Sequence, residues 1–148
     1  MLYRGAVIVG LALGVLFCSG CPVLEPTGPI TVKLINDTTL DVEPKFFVSA
    51  TENKPWTLFT AANRVDDFTN RPFPELRANE TATLTYECSD VASMGVNAAA
   101  MVNDLTLERA VTEDRVFLLV PDDVRCESTV RITYYVQGGV FHVRYEIE

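Results

Sequence analysis

From Val130 onward the chain alternates apolar and polar residues without a break. Val130, Ile132, Tyr134 and Val136 fall on one face and Arg131, Thr133, Tyr135 and Gln137 on the other. After Gly138-Gly139 the pattern resumes, with Phe141, Val143, Tyr145 and Ile147 alternating with His142, Arg144, Glu146 and Glu148. A period of two is that of a half-buried strand. The Gly-Gly pair suits a two-residue hairpin turn, because both central positions of a type I′ turn need positive φ. That turn sets Gln137 opposite Val140 and predicts the inward pairs Val136/Phe141, Tyr134/Val143, Ile132/Tyr145 and Val130/Ile147. It also predicts the outward pairs Tyr135/His142, Thr133/Arg144 and Arg131/Glu146, the last an ion pair. A slip of one residue would turn every apolar side chain to solvent.

The same period appears near the start of the domain. Ile30, Val32 and Leu34 alternate with Thr31 and Lys33, turn residues occupy 36–39, and Leu40 and Val42 then alternate with Asp41 and Glu43. This predicts a second hairpin, with Leu40 opposite Leu34 and Val42 opposite Val32 across a five-residue connection, Ile35 to Thr39. Pro44 lacks an amide donor and should interrupt the strand at an edge before Phe46, Phe47 and Val48 resume it. Further strands are expected near Trp56–Thr60, Thr81–Cys88, Leu105–Val111 and Val116–Val120. Residues 89–102 read as one helical turn capped by Asp90 followed by a strand, with 98–102 open to either helix or strand. Seven to nine short strands with at most one short helical turn add up to an all-β fold, an antiparallel β-sandwich, Ig-like or similar.

The first 21 residues follow a different pattern. Met1 to Arg4 carries one cation, Gly5 to Cys18 carries no charge, and Ser19-Gly20 is small. This is the layout of a removable export signal. As a helix, the uncharged run would reach only about 21 Å, short of the roughly 30 Å hydrocarbon core. The run Leu16-Phe17-Cys18-Ser19-Gly20-Cys21 resembles the lipobox of bacterial prolipoproteins, departing from it at Cys18, where that family usually carries leucine. The resemblance covers residues 1–21 only and implies cleavage before Cys21, lipidation of Cys21, and a bacterial cell-envelope location, lipid-anchored and extracytoplasmic. Pro22 stands where an aspartate favours inner-membrane retention in some bacteria, which favours the outer membrane or cell surface. The expected organisation is a signal peptide over 1–20, a tether over 21–29 stiffened by Pro22, Pro26 and Pro29, and a single domain over 30–148.

Export also organises the cysteines. Of four, Cys18 leaves with the leader and Cys21 goes to lipid, which leaves Cys88 and Cys126 as a disulfide in an oxidising compartment. Two free thiols are the alternative, and they require a chain that is not exported. The bridge would stabilise the fold by about 4 kcal/mol in the chain-entropy account. Without the leader, the domain is long enough to bury roughly two thirds of the unfolded chain's surface. The net charge of −8 grows one unit more negative when Arg4 is removed, which disfavours nucleic acid as a partner.

Reactive chemistry is sparse. His142 is the only histidine, set on the outward face opposite Tyr135, and no G-x-S-x-G, C-x-x-C or H-E-x-x-H spacing occurs. A metal site and a cofactor are not expected. Asp66-Asp67, Asp90 and Asp122-Asp123 could offer oxygen ligands to calcium, but the EF-hand pattern is absent and such aspartates serve turns. A hydrolase built on Asp66, Asp67, Glu87 or Asp90 has only chance proximity behind it. The expected function is a non-catalytic interaction or structural module, with an envelope protein or glycan as partner. The strongest binding candidate is the segment 51–79, where Trp56, Arg71 and Phe73 could form a platform for a peptide or sugar face. The competing reading places Trp56 and Phe59 in the core and uses Phe73 to plug a loop.

Overall fold

A computed structural model describes residues 27–51, 53–71 and 74–148. It is all-β, and its eleven strands form two layers around one core. The first layer is a four-stranded sheet in the order β11-β10-β1-β5, built from β1 (Ile30–Asp37), β5 (Thr81–Tyr86), β10 (Thr129–Gln137) and β11 (Val140–Ile147). The second layer is a pair of linked sheets. One has the order β2-β7-β8, with β2 (Asp41–Glu43), β7 (Ala100–Asn103) and β8 (Glu108–Val111); the other has the order β4-β3-β6-β9, with β3 (Phe46–Ser49), β4 (Arg64–Val65), β6 (Ser93–Asn97) and β9 (Arg115–Leu119). Ile30, Val32, Leu34, Val130, Ile132 and Tyr134 from the first layer meet Val42, Phe46, Met94, Val96, Val116 and Leu118 from the second.

The strand count exceeds seven to nine because three long strands of the second layer each break at one fold line. Pro44-Lys45 separates β2 from β3, Ala98-Ala99 separates β6 from β7, and 112–114 separates β8 from β9. Lys45 and Ala98 take positive φ at the break, and the amides of Asn97 and Thr112 donate across it to the carbonyls of Lys45 and Ala99. Residues 89–102 are therefore a 3-10 turn at Cys88–Asp90 followed by two strands, β6 and β7, not one.

The C-terminal hairpin has the predicted register throughout, from Gln137 opposite Val140 to Val130 opposite Ile147. Its ends are less buried than the pattern implied. Val136, next to the hairpin turn, and Tyr145 and Ile147, on the edge strand β11, remain exposed. Arg131 stands opposite Glu146 but pairs instead with Glu148, at 3.4 Å.

The N-terminal hairpin does not form. β1 lies between β5, antiparallel, and β10, parallel, while β2 pairs with β7 in the other layer. Asn36, buried at the turn, redirects the chain. Its Nδ2 donates to the carbonyls of Leu40, Leu76 and Arg77, and its Oδ1 accepts from the Thr38 amide. Val42 still faces the core, but from the opposite side.

Two other strand expectations are corrected. Trp56–Thr60 is not a strand. Pro55–Leu58 forms a single helical turn, α1, with Pro55 at the first position, where a missing amide costs nothing. Residues 104–107 form a turn, so the strand expected from Leu105 starts only at Glu108. With a further 3-10 turn at Ala61–Asn63, short helical pieces number three, beyond the one expected.

Candidate functional site

Cys88 and Cys126 are bridged, with Cα atoms 5.5 Å apart. Cys88 follows β5 and Cys126 precedes β10, the two strands that flank β1. Ile30 stands opposite Tyr86, and Thr31 opposite Thr129. The bridge therefore closes the end of the sheet at which the chain enters the domain. Here the Thr31 amide donates to the Ser128 carbonyl, and Gly28 lies against the Glu127 side chain. Cys21 and residues 1–26 lie outside the described residues.

The three platform residues do not form a described cluster. Trp56 sits in α1 with 72% of its surface exposed, and Lys54 Nζ lies 5.2 Å from its ring centroid. Its neighbour Phe59 packs edge-on against Phe47 and Phe117, at centroid distances of 5.3 and 6.4 Å, on the outer face of the second layer. The competing reading places Trp56 and Phe59 in the core; Trp56 is exposed, and Phe59 is half-buried in this outer aromatic cluster, outside the core. Arg71 lines a groove of about 360 Å³ between 67–71 and 80–82 that does not include Trp56. Its guanidinium is held at 2.5 Å by both the Glu80 carboxylate and the Glu75 carbonyl. The Arg71 hydrogen bond keeps the Glu80 carboxyl below its usual range, helped by the Arg77 amide. Phe73 lies outside the described residues.

The structure adds one pairing that spacing did not reveal. Asp114, just before β9, accepts at Oδ2 from the Val143 amide and lies 2.9 Å from His142 Nδ1. The Val143 amide, and after it His142, holds the Asp114 carboxyl below the usual carboxylate range. His142 also lies against Tyr135, with centroids 5.5 Å apart, and Arg144 covers the same tyrosine ring. The sole histidine is thus fixed, not simply solvated. No serine, threonine or cysteine hydrogen bonds to it among the described residues, so the pair orients an imidazole without a nucleophile beside it. Among the same residues, no group of three or more His, Cys, Asp or Glu side chains is arranged to hold a metal.

No family model matches the chain, and no curated protein matches it. Among solved structures it is similar to one described as "Trapped Toxin", with 13% sequence identity and a TM-score of 0.44. The match covers 82% of this chain but only 23% of that one.

Proposed function

We propose that the protein is a lipid-anchored component of the bacterial cell envelope, tethered through Cys21, whose β-sandwich is a non-catalytic interaction module. The observation that carries this reading is the Cys88–Cys126 bridge, which suits an oxidising compartment and sits where the tether meets the domain. Mass spectrometry of the mature N-terminus from native membranes tests it. A diacylated or triacylated Cys21 is expected, and Cys21→Ser should release the protein from the membrane fraction. An intact Met1 leader, or an unmodified Cys21, overturns the anchor.

A second reading, a small carbohydrate- or peptide-binding module using the 51–79 loops, is favoured by the exposure of Trp56 beneath Lys54. Trp56 is the chain's one tryptophan, so intrinsic fluorescence reports directly on it. A saturable shift on titration with oligosaccharides or short peptides supports this reading. An unchanged spectrum across such a panel counts against it.

A further inference from the structure

The outer face of the first layer carries no covering element among the described residues, and its side chains form a grid. Alternation turns Ile30, Val32 and Leu34 inward, so Thr31, Lys33 and Ile35 of β1 point out, together with Thr81, Thr83 and Thr85 of β5. The ladder places these residues in rows. One row runs Thr85, Thr31, Thr129; the next Thr83, Lys33, Arg131, Glu146; a third Thr81, Ile35, Thr133, Arg144, in which Thr133 is itself buried among its neighbours. Tyr135 and His142 close the grid beside them. Neighbouring strands are about 4.8 Å apart, and successive outward residues on one strand about 6.8 Å.

The charges in this grid are unexpected for a molecule of net −8. Lys33 and Arg131 stand directly opposite each other on adjacent strands, an arrangement that costs stability unless something compensates it. Lys33 has no ion-pair partner among the described residues. Arg131 reaches Glu148 only through Nη1, at 3.4 Å, and its Nε is buried with no partner. Arg144, on the next strand, lies over Tyr135. Glu146 stands opposite Arg131 and Glu148 pairs with it, whereas Lys33 is ringed by the threonine side chains of β1 and β5.

We infer that this open face binds a linear polysaccharide bearing carboxylates, with Lys33 and Arg131 receiving a carboxylate and the threonine rows and Tyr135–His142 contacting the sugar rings. Charge complementarity selects an anion, and hydroxyl groups beside an aromatic pair select a sugar ring over an apolar surface. A duplex nucleic acid, with one charge per about 1.7 Å, would be repelled by the rest of this acidic domain. A polymer with one carboxylate per ring presents a sparser charge that the central cations can match. This inference rests on the interaction-module reading but not on the lipid anchor, so failure at Cys21 leaves it intact.

Affinity electrophoresis of the full chain through gels containing polygalacturonate, amylose or poly-glutamate tests the proposal. The wild type should be retarded by polygalacturonate alone. Lys33→Glu and Arg131→Glu should weaken retardation about tenfold or more. Lys45→Glu makes the same charge change at the fold line of the second layer and should bind as the wild type does. Lys33→Gln and Thr83→Val, at exposed or half-exposed positions, extend the series should a charge reversal impair folding, and both should weaken binding. The proposal is overturned if the wild type is not retarded, if Lys45→Glu loses as much as Lys33→Glu, or if poly-glutamate retards the chain equally, which would identify an acidic peptide as the ligand.

Discussion

The Tyr134 hydroxyl donates a hydrogen bond to the Pro44 carbonyl, at 3.1 Å, across the full depth of the sandwich. Tyr134 belongs to β10 in the first layer, and Pro44 marks the fold line of the second. Burial is complete and pushes the phenol well above its ordinary pKa of 10.0, so it remains a neutral donor. Tyr134→Phe would leave the Pro44 carbonyl buried without this partner, at a cost of about 1–3 kcal/mol. Urea denaturation should show a lower midpoint with an unchanged slope.

Asn36 redirects the chain from one layer to the other with three donated bonds and one accepted bond. Asn36→Leu keeps the volume but takes the acceptor from the Thr38 amide and one donor from each of the Leu40, Leu76 and Arg77 carbonyls, which keep Thr38 Oγ1, the Val42 amide and the Glu80 amide respectively. A loss of about 3 kcal/mol is expected, somewhat larger than for Tyr134→Phe, because one buried amide loses its acceptor and three further bonds at the layer crossing are lost with it. Thermal unfolding of the two variants side by side checks the order.

Gly95 lies on the outer face of β6, where a Cβ would sit 2.1 Å from the Val116 carbonyl oxygen and 3.2 Å from the Phe59 ring. The first neighbour is backbone and cannot swing aside. Gly95→Ala should therefore part β6 from β9 and displace Phe59, at a cost of about 1–3 kcal/mol. Faster amide exchange along β9 would show the parting directly; unchanged exchange would contradict the close approach.

Asp114 has a depressed pKa in the folded state, through the Val143 amide first and His142 after it. A group of this kind contributes stability that is fully present above its unfolded pKa, about 3.9, and is lost as pH falls through the lower folded value. Glu80 behaves in the same sense through Arg71. Unfolding measured as pH is lowered below about 4 should show a decline that Asp114→Asn makes shallower. An Asp114→Asn curve that parallels the wild type at all acid pH values would refute the assignment.

Reducing the Cys88–Cys126 bridge should lower stability by up to about 4 kcal/mol. The comparison is denaturation of oxidised protein against the Cys88→Ser/Cys126→Ser variant, with a fall of under 1 kcal/mol counting against a structural role.

Much of this fold can be read from the chain because local chemistry and pattern agree. The Gly138-Gly139 turn admits one register, and alternation then assigns every side chain of β10 and β11 to a face. The disulfide is legible from the number of cysteines once export is expected. Alternation names a face but not a neighbour, which is why Val32 and Val42 read as partners when they belong to opposite layers. The fold line is equally hard to read: Pro44 signals it in one strand, but Ala98 carries no signal for its positive φ. Trp56–Thr60 looked like a strand because its apolar content outweighed Pro55, whose place at the start of a helical turn is the stronger local cue. Asp114 and His142 lie 28 residues apart, and only the approach of β9 to β11 brings them together.

The position of β1 has a mechanical consequence. This is the first strand of the described domain, and it is hydrogen-bonded on both sides, parallel to β10 and antiparallel to β5. A pull on the chain ahead of β1 would load both ladders in shear, so their bonds would share the force instead of failing one after another. The two flanking strands are tied to each other by the bridge and cannot spread to let β1 slide out. A domain held from this end would resist drag on whatever it grips, and reduction of one disulfide would remove the clamp.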